Sequence, residues 1–146
     1  MGRISAEMPD DTHQRYSLTL DGSGTCADRG SEWARAMAGQ AGVPEDRVAA
    51  IDLCIVELVT NIVSHSYRGE PGEIRLDLDL DGEAAVLTVT DTGPAFDPLS
   101  VPAPVVAASI EEAPIGGLGI HMVRSSASAC EYARRDGRNV FTARFR

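Results

Sequence analysis

The stretch from Ala49 to Val63, Ala-Ala-Ile-Asp-Leu-Cys-Ile-Val-Glu-Leu-Val-Thr-Asn-Ile-Val, constrains this chain more than any other. Its aliphatic residues fall on every side of a helix, and a helix that is apolar all round is a buried one. Whatever fold forms must wrap other elements around it. Glu57 and Asn61 interrupt the pattern four residues apart, so they project from one side, a turn apart. Burying a carboxylate and an amide costs several kcal/mol unless something pairs with them. Two arrangements meet that cost. Either the pair bond to each other in a satisfied core, or they face a cavity that holds a cation or a phosphate. The stretch alone leaves both open.

The flanking sequence predicts what packs on this helix. Residues 1–14 read as a loosely attached arm, and Arg15 to Leu20 alternate as a first strand. Cys26 to Gly42 place Ala27, Trp33, Ala34, Met37 and Ala41 at near-helical spacing, an amphipathic helix stopped by Gly42. Pro44, Glu45 and Asp46 suit the first turn of the central helix, which is expected to run to about Tyr67 before Arg68-Gly-Glu-Pro-Gly72 ends it. Glu73 to Leu80 alternate strictly, Asp81-Gly82 signals a tight hairpin, and Ala84 to Thr90 return. From Leu99 to Ile115 there is no periodicity and three prolines, so a long functional loop is expected. Gly116-Gly-Leu-Gly119 then opens onto an apolar helical run, and Ala129 to Arg135 with Val140 to Phe145 close a last hairpin at Asp136-Gly137. The pattern is α+β: a two-layer sandwich, with a mixed, mostly antiparallel sheet and helices on one face.

Composition narrows the function. An apolar fraction of 43% suits one globular domain, here residues 15–146, and a net charge of −9 opposes a surface for nucleic acid, which needs a positive field. No apolar run approaches the ~20 residues of a membrane span and no signal segment is apparent, so a cytoplasmic protein without a membrane partner is expected. The three cysteines lack metal spacing; Cys54, in the apolar helix, reads as a small hydrophobe.

Four features therefore stand in chain order: a buried helix with Glu57 and Asn61, a strand end with Asp91 and Gly93, a long loop, and a glycine turn before a helix N-terminus, which suits an anion. Singly, each has an ordinary explanation as core pair, turn former or turn. The ordered set resembles the ATP-binding Bergerat fold of the GHKL superfamily. Glu57-Leu-Val-Thr-Asn61 matches its N box, Asp91-Thr-Gly93 its G1 box and Gly117-Leu118-Gly119 its G2 box, with residues 99–115 as the ATP lid. The likeness covers residues 15–146 and is greatest to the anti-sigma factor serine/threonine-protein kinases. It rests also on Asn61-Ile-Val-Ser-His65, on Phe96-Asp-Pro98 and on Gly117-Leu-Gly-Ile-His-Met-Val-Arg124.

The resemblance implies roles. Asn61 would ligate Mg²⁺, and Glu57 would take the proton of the attacking hydroxyl. Asp91 would accept a hydrogen bond from adenine, Gly93 would leave room for the base, and Gly117, Leu118 and Gly119 would form the phosphate cradle. Thr142 would help to hold adenine. By its own spacing, two turns beyond Glu57, His65 is expected on the same side, either touching the site or as a structural histidine. ATP or ADP with Mg²⁺ is the implied ligand. The implied partners are a sigma factor and an anti-anti-sigma antagonist with a STAS domain, and the implied assembly is a homodimer. A non-catalytic nucleotide-binding module that switches partners is the alternative. Two departures from the family pattern stand out: Ala95 before Phe96, and a lid segment without lysine or arginine.

Overall fold

The computed structural model describes residues 13–68, 70–82, 84–100 and 117–146. Strand β1 is His13–Leu20, α1 is Cys26–Gln40 and α2 is Glu45–Asn61, which continues as a π-helical turn, Ile62–Ser66. Strands β2 (Ile74–Asp81) and β3 (Ala84–Asp91) follow, then a 3₁₀ turn at Pro98–Ser100, helix α3 (Gly117–Ser126), and strands β4 (Ala129–Arg135) and β5 (Arg138–Phe145). His13 and Gln14, expected in the arm, pair with Asp81 and Leu80 and so extend β1. Residues 1–12 of that arm and 101–115 of the expected lid lie outside the described residues.

The strands form one sheet in the order β1-β2-β3-β5-β4. Every pairing is antiparallel, so the expected mixed sheet is a purely antiparallel one among the described strands. Alternation sets the faces. Ile74, Leu76, Leu78 and Leu80 of β2, Leu87 and Val89 of β3, and Phe141, Ala143 and Phe145 of β5 are all buried. With Ile51, Cys54, Ile55, Leu58 and Val59 of α2 they form the core. Both hairpin loops are two residues long. Asp81 pairs with Ala84, one residue later than the expected Asp81-Gly82 turn, and Arg135 pairs with Arg138. Asp136 and Gly137 both take positive φ, 51° and 76°, as a type I′ turn requires.

By length and composition alone Glu45–Ser66 would also suit a membrane span, contrary to the sequence-based expectation. Here its inner side is the core of the sandwich. Its polar Asp52 is matched: Arg35 Nε of α1 donates to Asp52 Oδ2 at 2.7 Å, and the Ser31 hydroxyl donates to Oδ1. Pro44 caps this helix, accepting from the N–H groups of Arg47 and Val48, one position before the expected first turn. On the opposite face of the sheet, Arg75 of β2 grips Asp77 through Nε and Nη2 at 3.0 Å, with Ser17 of β1 donating to the same carboxylate.

Candidate functional site

The strand ends of β3 and β5 meet beneath α2. Asp91, the last residue of β3, stands opposite Asn139 of β5, and both side chains point to the helical layer. Asp91 is a buried carboxylate, 5% exposed. Its Oδ1 accepts from Gly93 N–H at 2.8 Å and from Asn139 Nδ2 at 3.0 Å. Among the described residues no donor reaches Oδ2. Above this carboxylate lies a small pocket walled by Leu58 and Asn61 of α2, by Ile62 and Ser66 of the π-turn, and by Phe96 and Pro98 of the following loop. Apolar walls with a few convergent polar groups, here Asp91, Asn139, Asn61 and Ser66, are the usual form of a small-molecule site.

Glu57 and Asn61 behave differently from Asp52 on the same helix. Among the described residues, neither makes a hydrogen bond or an ion pair, and they do not bond to each other. The satisfied core pair is therefore not what the structure holds. Asn61 lines the pocket. Glu57, one turn back, lies half-buried against the first turn of α3. A Cβ placed on Gly119 would sit 3.2 Å from Glu57 Cδ and closer still to Oε1, so any larger residue there would displace the carboxylate from this position. Helix N–H groups and the dipole favour negative charge at that turn. The backbone of Gly117, Leu118 and Gly119 forms this N-terminal turn, as the sequence predicts. Gly93 is buried, and a Cβ on it would press against Ser66 at 2.9 Å.

Two expected site residues fall elsewhere. Thr142 belongs to the other face of the sheet. Inward residues of β5 are the odd-numbered Asn139, Phe141, Ala143 and Phe145, and Thr142 pairs with Thr88 on the outer side. The inward β5 residue that meets Asp91 is Asn139. His65 is exposed and does not line the pocket, because the π-turn after Asn61 breaks the α-helical period and brings Ser66 to the pocket instead.

Three further side chains hold the Asp91–Phe96 loop. Asn139 Nδ2 also donates to Pro94 O at 2.8 Å, while its Oδ1 accepts from Phe96 N–H at 3.2 Å and from the Tyr132 hydroxyl at 2.5 Å. Arg134 donates from Nη1 to Gly93 O at 2.8 Å. Tyr67 accepts from Thr92 N–H at 2.9 Å. The alternation of β5 could have revealed Asn139; no local signal marks the other two. Of the expected lid, Leu99 and Ser100 are anchored in the 3₁₀ turn, which Asp97 caps through Leu99 N–H at 2.8 Å.

Comparison with known proteins adds to this geometry. Residues 28–145 match the family model of the histidine kinase-like ATPase domain. The chain is 38% identical over 93 residues to the serine/threonine-protein kinase BtrW of Bordetella bronchiseptica, covering 63% of this chain and 66% of that protein. It is 25% identical over 113 residues to the serine-protein kinase RsbW of Bacillus cereus, covering 75% and 71%. In fold it is similar to a crystal structure of the RsbU and RsbW domains of a Mycobacterium tuberculosis protein. The TM-score is 0.66 at 20% identity, over 91% of this chain and 32% of that one.

Proposed function

The chain belongs to the histidine kinase-like ATPase domain family, and from that premise we propose that it is an ATP-dependent serine/threonine-protein kinase acting as an anti-sigma factor. One observation carries the catalytic part. Of the polar residues Asp52, Glu57 and Asn61 in the buried helix, Asp52 is matched by protein, while Glu57 and Asn61 stand without protein partners among the described residues, beside a pocket floored by a carboxylate. The names of the relatives support the kinase activity.

In this proposal Asp91 reads the base. With Oδ1 filled by Gly93 and Asn139, Oδ2 accepts the adenine amino group, and guanine, which presents a carbonyl there, is rejected. The apolar walls take the ring, and the first turn of α3 turns its N–H groups toward the phosphates. Asn61 fits a magnesium ion. Its amide oxygen is a hard donor without a protein partner, and no group of three or more acidic, histidine or cysteine side chains suited to a metal occurs among the described residues. That matches an ion held by few protein ligands and mainly by phosphates and water. When bound, the ion neutralises phosphate charge. Glu57 accepts the proton of the attacking serine or threonine hydroxyl, positioned by Gly119 and by its rigid helix. The hydroxyl belongs to an anti-anti-sigma antagonist with a STAS domain. Sequestration of a sigma factor alternates with that phosphorylation, in a cytoplasmic homodimer.

The test is transfer of label from γ-labelled ATP to a STAS-domain antagonist. Glu57→Gln is expected to reduce transfer by about 10²–10⁴-fold, the usual contribution of a general base, with ATP binding retained. Undiminished labelling would remove Glu57 from the chemistry. Tight ATP binding with no transfer by the unsubstituted protein would instead favour the non-catalytic module.

A further inference from the structure

We propose that Tyr67 is a positioning residue for adenine selection, its hydroxyl tying the end of α2 to the loop that presents Asp91. The inference rests on the ATP-binding site proposed above. Buried residues recur along α2 at Ile51, Cys54, Ile55, Leu58 and Val59, and at Ile62 where the π-turn begins. An unbroken α-helix would bring Ser66 inward next, four residues after Ile62. The π-turn inserts one residue, Tyr67 N–H bonds to Ile62 O at 2.9 Å, and Tyr67 takes the buried position, 8% exposed. Single π-turns of this kind cluster at functional sites. The ring is locked as well, because it lies so close over Gly72 that a Cβ there would enter it.

The hydroxyl of Tyr67 is fully used. It donates to Glu73 O at 2.6 Å. A phenol has one proton to donate and an oxygen that accepts. With that proton committed, the oxygen accepts from Thr92 N–H at 2.9 Å and from Thr92 Oγ1 at 3.1 Å. Main chain and side chain of Thr92 are thus held at one point. Thr92 joins Asp91 to Gly93, and the Gly93 N–H is one of the two donors that orient the Asp91 carboxylate. Fixing Thr92 fixes which carboxylate oxygen turns to the base. Because Tyr67 follows directly on the helix that bears Glu57 and Asn61, the same contact holds base recognition in register with the reacting end of the site.

Tyr67→Phe removes the hydroxyl and keeps the ring over Gly72. Binding of ATP and GTP is measured by titration calorimetry in magnesium buffer for the unsubstituted protein, Tyr67→Phe and Asp91→Asn, each checked by circular dichroism. Tyr67→Phe is expected to fold, to bind ATP about tenfold more weakly, the order expected for a lost hydrogen bond in a buried network, and to lose preference for ATP over GTP by a similar factor. An unchanged ATP:GTP ratio in Tyr67→Phe, with the ratio collapsed in Asp91→Asn, would overturn the role of Tyr67 and leave the adenine site standing. Equal weakening toward both nucleotides would also overturn it, since a merely structural tyrosine would act that way. Failure of the unsubstituted protein to prefer ATP would sink the nucleotide site and the role of Tyr67 together.

Discussion

Gly119→Ala separates catalysis from stability at a single methyl group. The added Cβ would lie under 3.0 Å from Glu57 Oε1, closer than real Cβ atoms approach their neighbours, and a tight 3.2 Å from Cδ. What must yield is the far end of a half-buried side chain, and a rotation of about 30° off its rotamer costs roughly 0.5–1.5 kcal/mol. Against this, alanine gains up to about 1 kcal/mol of helix propensity over glycine within α3. The two terms nearly cancel, so the melting temperature should stay within a few degrees of the unsubstituted protein. Catalysis has no such offset. Moving a general base by about 1 Å costs on the order of 10²-fold in rate. Phosphate transfer from ATP to a STAS-domain antagonist should therefore fall about 100-fold in a protein that melts normally. Full activity in a stable Gly119→Ala protein would refute the placement of Glu57 as base. A loss of several kcal/mol in chemical denaturation would show that the packing of α3 on α2, not the carboxylate alone, requires glycine.

Three further outcomes are expected. Asn139→Ala leaves Phe96 N–H and the Tyr132 hydroxyl without their acceptor, so urea unfolding should show a loss of about 2–4 kcal/mol, and ATP affinity should drop with it. Burial pushes the Asp77 carboxyl up, but hydrogen bonds from Arg75 and Ser17 and the charges of Arg75 and Arg15 outweigh it and hold the group below its ordinary value. The unfolded chain then binds the proton first as pH falls, so the stability Asp77 contributes is complete above about pH 4–5 and is lost below it. Asp77→Asn should be less stable by about 1–3 kcal/mol at pH 7, with the gap closing in denaturation curves taken at pH 3 and below; a constant gap would contradict the ion pair. Burial also pushes the Cys54 thiol up to about 12, so at pH 8 it should resist Ellman's reagent in the folded protein, and Cys54→Ser should leave the native labelling rate unchanged.

The helical layer was legible because its signals are local. A helix apolar on every side has to be central, and two polar residues a turn apart within it have to share an environment. Asp91 was legible for the same reason, as the end of a strictly alternating hairpin. Asn139 was not. Its partner Asp91 lies 48 residues earlier, and only the register of β3 against β5 brings them together. Thr142 follows from the resemblance alone, and the parity of β5, set by its pairing with β3, turns it to the outer face. α-Helical spacing turns His65 toward Glu57, but past Asn61 the backbone adopts a π-turn and His65 faces solvent. Tyr67 and Arg134 act through hydrogen bonds to main-chain groups of a distant loop, which side-chain patterning does not encode.

The order β1-β2-β3-β5-β4 has a consequence for the protein as it is made. Strands β1, β2 and β3, with both long helices, leave the ribosome able to pair with one another, yet Asp91 then has no Asn139 across from it and its loop is held by Tyr67 alone, without Asn139 or Arg134. The strand that completes the pocket is inserted between two others only after residue 138 has been synthesised. Unfinished chains thus expose the free edge of β3 without offering a nucleotide site. ATP, which stabilises only the state that binds it, would act as a late checkpoint, favouring chains in which the final hairpin has docked in register.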